Sequence, residues 1–127
     1  MAQINPIGWV EIPVTDLDRA EKFYNAFFGF ECARQGESHG FTMSFFPMGE
    51  GYGASGALVI GEGYVPSKEG VAVYFTAPEG GITAAIEKAR GLEIKVIMDY
   101  MDIGKFGHMA IIEDSEGNNV CLHSENK

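Results

Sequence analysis

Residues 118–124 read Asn-Asn-Val-Cys-Leu-His-Ser. As a strand this stretch alternates. Val120 and Leu122 point one way, and Cys121 and His123 point the other. A thiolate and an imidazole two residues apart on one strand face could hold one metal ion; the same pair could be a small buried hydrophobe and a half-buried histidine. Near the other end, Glu11 in GWVEIPV shares a strand face with Trp9, the single tryptophan. A carboxylate facing a partly apolar cavity is costly unless paired or wet. Glu11 is therefore a solvated strand residue, a counter-ion for a cationic ligand, or, if desolvated, a general base. Trp9 either fills the core or offers a flat stacking surface. His108 ends DIGKFGH, a glycine-flanked segment that could act as a lid. Glu11, His108, Cys121 and His123 are the donors that could in principle converge on a divalent ion. No nucleophile–base–orienter set is visible: Ser55 and Ser124 have no histidine at a recognisable spacing, and Cys32 stands alone.

Two glycine-led segments carry the elements that position these residues. They are GWVEIPVTDLDRAEKFYNAFFGFE (8–31) and GVAVYFTAPEGGITAAIEKARGLE (70–93). A constant shift of 62 carries Gly8 onto Gly70, Gly29 onto Gly91 and Glu31 onto Glu93. Strand matches strand and helix matches helix, so one supersecondary unit occurs twice. Trp9–Val14 is the first strand. Thr15 is the expected helix cap, with Asp18 three residues on. Leu17, Ala20, Tyr24 and Phe27 form a helical stripe that ends at Gly29. Val71–Thr76 is the corresponding strand, and Ile82, Ala85, Ile86 and Ala89 mark the second helix, stopped by Gly91. Three strands follow each helix: 31–35, 41–47 and 55–60, then 94–100, 108–113 and 119–124. Asp114-Ser115-Glu116-Gly117 suits a tight hairpin. MGEGYGASG (48–56) reads as a mobile loop and not a phosphate cradle, because no helix start or lysine follows it. The order is βαβββ twice: an α+β fold in one domain spanning 1–127, with modules at about 5–61 and 70–124. Two such sheets, with helices outside, curl into an open trough floored by the faces that the helices leave uncovered.

The totals narrow the partners. With 18 acidic against 9 basic residues the net charge is −9, which argues against nucleic acid. It weakly favours cationic or neutral ligands. No apolar run approaches the ~20 residues that span a bilayer. MAQINPIGW shows no secretory leader. Two cysteines make no disulfide framework, so a cytoplasmic protein with free thiols is expected.

Two stretches carry a family resemblance: IPVTDLDRAEKFYNAFFGF (12–30) and IIEDSEGNNVCLH (111–123). The first resembles the V-x-D-x-x-x-A-x-x-F-Y-x-x-x-x-G opening of the vicinal-oxygen-chelate superfamily. The second resembles its D-P-[DE]-G-N hairpin, with Ser115 where proline is usual. This superfamily includes glyoxalase I, bleomycin-resistance proteins, fosfomycin-resistance enzymes and extradiol dioxygenases. The resemblance implies metal ligands on the first and last strands of each module. By motif spacing those positions fall on Trp9, Val71, Cys121 and, less firmly, Leu58. Only cysteine among them binds a divalent ion, and one thiolate is not a site. No cofactor is therefore expected. A rearranged site for manganese, iron, nickel or zinc, serving a lyase, isomerase or dioxygenase, is the alternative. The expected trough lining is Trp9, Glu11, Thr42, Ser44, Leu58, Val71, Val73, Phe75, His108, Cys121 and His123. The leading expectation is a metal-free member that binds a small aromatic, hydrophobic or cationic molecule, as a homodimer. A third reading is a structural or regulatory module whose trough serves dimerisation.

Overall fold

The computed structural model describes residues 5–127; residues 1–4, which begin the stretch read for a leader, lie outside it. The first unit runs β1 (Val10–Pro13), α1 (Leu17–Phe28), β2 (Ala33–Arg34), β3 (Thr42–Phe45) and β4 (Gly56–Ile60). The second runs β5 (Tyr74–Thr76), α2 (Gly81–Gly91), β6 (Val96–Asp102), β7 (His108–Glu113) and β8 (Asn119–Ser124). A short 3₁₀ turn, Gly104–Phe106, joins β6 to β7. The sheets are ordered β1-β4-β3-β2 and β5-β8-β7-β6. In each, the first and last strands pair in parallel and the others antiparallel. Neither sheet closes into a barrel, so the α+β, paired-βαβββ expectation holds.

The helices form where the apolar stripes lie. Leu17, Ala20, Tyr24 and Phe27 are buried along α1, and Ile82, Ala85, Ile86 and Ala89 along α2. Gly29 takes φ 78°, and its N–H closes on the Asn25 carbonyl. The α1 cap is Asp16 rather than Thr15: its carboxylate accepts the Arg19 N–H at 3.0 Å. The start of α2 has no side-chain cap. Its Ile82 and Thr83 N–H groups instead donate to the carbonyls of Asn126 and Lys127. Gly91 is the last helical residue there, and the left-handed turn falls on Glu93, φ 61°.

The repeat has one slip. Ile12 pairs with Leu58, Phe75 pairs with Leu122, and all four face the shared core. Val14 and Ala77 likewise donate to the last strands of their sheets. On the strands Ile12 therefore matches Phe75, one residue beyond the shift of 62 that suits the helices. A one-residue slip turns every side chain to the other face. Val73 and Phe75, expected in the trough, pack against the helix-side core, while Tyr74 and Thr76 take the trough face. By the same pairing Cys121 matches Ala57 and not Leu58.

The two units share one core and one polar joint. Phe75 packs between Tyr24, Phe28 and Phe46, with ring centroids 5.8, 5.0 and 5.8 Å away. The β7–β8 hairpin reaches across to the start of α1. There the Glu116 carboxylate accepts the Thr15 and Asp16 N–H groups, each at 2.9 Å, and Arg19 Nε at 2.7 Å. Two carboxylate charges thus meet the positive end of α1, one from the Asp16 cap and one from the other module. Asp114 accepts the buried Tyr24 hydroxyl at 2.7 Å, and Asn118 donates to the Pro13 carbonyl at 2.8 Å. Burial alone would raise the Glu116 pKa. Hydrogen bonds from Arg19, the Thr15 N–H, Ser115 and the Asp16 N–H outweigh it and hold the value at about 2, against an ordinary 4.5. The depressed value means that the stabilisation is full above the unfolded pKa and is lost as pH falls through the folded one. Urea melts should therefore lose on the order of 2–3 kcal/mol between about pH 5 and pH 2. Glu116→Gln should show a similar loss at neutral pH and a flatter acid limb; an unchanged limb would mean that Glu116 is not the group titrating.

Candidate functional site

The outer edges of β1 and β5 border an open cleft of about 1550 Å³. One wall carries Trp9, Glu11 and Pro13. The other carries Tyr74 and Thr76 of β5, Met109 of β7, and Asn119 and His123 of β8. The glycine-rich 48–56 loop supplies Tyr52, fully exposed at the mouth. This loop approaches the first strand because Gly56 has no side chain: a Cβ there would lie 1.9 Å from the Val10 carbonyl oxygen.

Trp9 is 38% exposed and rests edge-on against Phe45, at 5.3 Å. Its indole is thus held on one side and open on the other. Glu11 accepts the Tyr64 hydroxyl at 2.7 Å, and that bond is the main cause of a raised Tyr64 pKa. Tyr64 lies in the linker between the modules and packs edge-on against Phe41, so the linker covers part of the first sheet. Across the cleft, the Tyr74 hydroxyl lies 3.8 Å from the Met109 sulfur.

His123 has a defined tautomer. Its Nε2 lies 2.6 Å from the Phe106 carbonyl, which can only accept, so Nε2 carries the proton and Nδ1 is the ring's acceptor when neutral. The bond ties down the Gly104–Phe106 turn, the segment whose glycines suggested a lid. Gly107 makes the close passage possible. Its φ is 111°, and a Cβ would sit 2.4 Å from the Ser124 carbonyl oxygen and 3.3 Å from His123 Nε2. Burial raises both thiols, Cys32 to about 11, so neither is a ready nucleophile at neutral pH.

The expected lining divides. Trp9, Glu11, Val71 and His123 border the cleft, Val71 from an exposed position before β5. Cys121 shares the His123 face but is buried. Val73 packs on the core and meets the cleft only along its border. Three positions belong to the opposite face of the first sheet. Leu58 is fully buried beneath α1, and Ser44 donates to Glu21 of α1. Thr42 alternates with Ser44 and shares its side. His108 also turns away. It alternates with Met109 and stacks on Tyr100, whose hydroxyl lies 2.9 Å from its Nδ1. Tyr52, Tyr74, Thr76 and Asn119 border the cleft without having been expected there. Asn119 was readable, since it precedes Cys121 and His123 in the same alternation; Tyr74 and Thr76 were hidden by the slip.

The donors present do not form a metal set. Correcting the repeat replaces Val71 and Leu58 by Ala72 and Ala57, which leaves Cys121 as the one donor among the four implied positions. Glu11, His108, Cys121 and His123 do not converge, because His108 faces away from the trough. Among the described residues no group of three or more histidine, cysteine or carboxylate side chains is arranged around a common centre.

Paired βαβββ modules around an inter-module cleft define the structural class. A family model described as bleomycin resistance protein-like N-terminal matches residues 7–43. No curated protein matches the sequence significantly. Solved structures do match over nearly the whole chain. Glyoxalase I of Leishmania major is 23% identical, with 96% of this chain and 88% of that one covered at a TM-score of 0.66. TnmS3, an antibiotic binding protein from Streptomyces sp. CB03234, is 21% identical, with 97% and 98% covered at 0.72. The fosfomycin resistance protein FosX from Listeria monocytogenes is 15% identical, with 95% and 92% covered at 0.69. At these identities the likeness is one of fold. The matched segment overlaps the first of the two motifs, and the fold is the paired-module plan that the resemblance implies.

Replacing Gly107 by alanine should cost about 1–3 kcal/mol by backbone strain and the clash with Ser124. Thermal melts check the loss, and the His123 ring signals in NMR should shift as the Phe106 bond loosens. An unaltered His123 spectrum would show that the turn does not hold the imidazole.

Proposed function

We propose that the inter-module cleft binds a small aromatic, hydrophobic or cationic molecule without metal chemistry. The observation that carries this reading is the cleft's surface: Trp9, Tyr52 and Tyr74 offer open aromatic faces beside the Glu11 carboxylate. Stacking on such rings is worth about 0.5–1.5 kcal/mol per pair beyond the area buried. The structural likeness to an antibiotic binding protein supports binding as the cleft's role. The protein's own residues would bind and orient: Trp9 as a stacking wall, Glu11 as counter-charge, and His123 as an acceptor through Nδ1. The reading includes a homodimer, supported by the unpaired outer edges of β1 and β5 and by exposed Ile7, Val65 and Val71 nearby.

Trp9 is the single tryptophan, so its emission reports on the cleft directly. A panel of planar aromatic compounds, with bleomycin tested beside them, should contain members that quench it saturably, with affinity confirmed by calorimetry. Trp9→Leu should weaken those members by about fivefold or more. Calorimetry that detects no binder in the panel, or a Trp9→Leu variant that binds as well as the parent, would overturn the reading.

A further inference from the structure

We infer that the polar end of the cleft's ligand is a cationic N–H donor, a protonated amine or amidine, received by Asn119 and balanced by Glu11. This rests on the reading of the cleft as a small-molecule site and names the ligand class for it. Two independent observations carry it.

The first is an orphaned acceptor. Asn119 Oδ1 is buried and has no hydrogen-bond partner among the described residues. Such a group costs about 1–3 kcal/mol when left unmade. Asn119 borders the cleft and stands at the start of β8, opposite Glu113, on the face that Cys121 and His123 share. Its neighbour Asn118 is fully used: it donates to Pro13 and Asp114 and accepts from Ser67. The two asparagines thus divide the work, with Asn118 holding the joint and Asn119 at the cleft's border, its unpaired Oδ1 closed to solvent until the side chain turns outward. Only an N–H or O–H donor satisfies Oδ1.

The second is the sign of the charge. The ionisable carboxyl, amino, guanidinium and imidazole groups bordering the cleft are Glu11, Glu69, Glu79 and His123, with no lysine or arginine among the described residues. Glu11 spends Oε1 on Tyr64, and Oε2 has no partner among the described residues. His123 spends its Nε2 proton on Phe106. An anionic ligand would meet three carboxylates and no lysine or arginine along the lining, and Lys68, just beyond it, is already paired with Glu113 at 3.3 Å. A cationic donor gains a charge-assisted bond and relieves the orphan at once.

The test uses three compounds with one ring system at neutral pH: aminoacridine (cationic), acridine (neutral) and acridine carboxylate (anionic), titrated by calorimetry and Trp9 quenching. The full chain should bind the cation about tenfold or more tighter than the neutral ring, and the anion weakest. Asn119→Leu and Glu11→Gln should each lower cation affinity by about fivefold or more and leave the neutral ring within about twofold. Asn119→Asp, which keeps an acceptor oxygen and adds charge, should hold or tighten cation binding and guards against a leucine variant that fails to fold. Equal losses for cation and neutral ring would mean that Asn119 holds a water or only supports the strand, which overturns the inference. A neutral ring that binds as tightly as the cation overturns it too, while leaving the cleft's aromatic role standing. Failure of all three to bind would overturn both.

Discussion

A single carboxylate, Glu116, sits fully buried where the two modules meet, and the cleft depends on where it holds them. It lies on a hairpin of the second module and accepts backbone N–H groups at the start of the first module's helix. The Asp16 N–H, at the cap, has no partner within the helix, so its bond answers a need that α1 creates by existing, and the Thr15 N–H beside it is met by the same oxygen. Arg19 supplies the opposite charge from one turn further along α1. The geometry is fixed by several bonds at once, which sets the two sheets, and so the spacing of Trp9 from Tyr74, with little freedom.

The joint and the cleft use acidic residues in opposite ways. At the joint, Asp114 and Glu116 are surrounded by donors: Tyr24, Asn118, Ser115, Thr15, Asp16 and Arg19. Their charge is answered within the protein. In the cleft, Glu11 has one donor and Asn119 Oδ1 has none among the described residues. Buried polar groups in folded proteins are normally satisfied, so unmet demand concentrated on one surface separates a place for a ligand from a place for packing. The aromatic residues divide in the same manner. Tyr24, Phe27 and Phe46 are spent in the core, whereas Trp9, Tyr52 and Tyr74 keep open faces.

The architecture was legible because it rests on local patterns. The stripes at Leu17–Phe27 and Ile82–Ala89, the glycine after α1 and the hairpin at Gly117 each act over a few residues. The face of β8 was legible too, since Cys121 and His123 alternate with fully buried Leu122. What failed was register. Each strand was assigned correctly as a strand, but the repeat was counted through the helices, and the connection between strand and helix differs by one residue in the two modules. That difference put Val73, Phe75 and Leu58 on the helix side of their sheets, although Val73 and Phe75 still border the cleft. Thr42 and Ser44 failed for another reason: residues 41–45 alternate strictly, but the polar side turns toward α1, where Ser44 donates to Glu21, and the apolar side toward Trp9. His108 failed because the strand it begins, HMAIIE, has no such alternation. The DSEGN motif signalled a turn, but the reach of Glu116 to α1 is a contact between distant residues that no local pattern encodes.

The bond from Thr15 to Glu116 joins residues 101 positions apart. Contacts of such separation form only after most of the chain has been closed into loops, and that closure entropy must be met first. During synthesis the first module emerges with the Tyr24 hydroxyl lacking its acceptor and with α1 lacking the clasp at its first turn. Both are supplied from residues 114–116, near the end of the sequence. The first module is therefore held back from completing its own core until the second has arrived, and the chain should fold as one cooperative unit despite its duplicated plan.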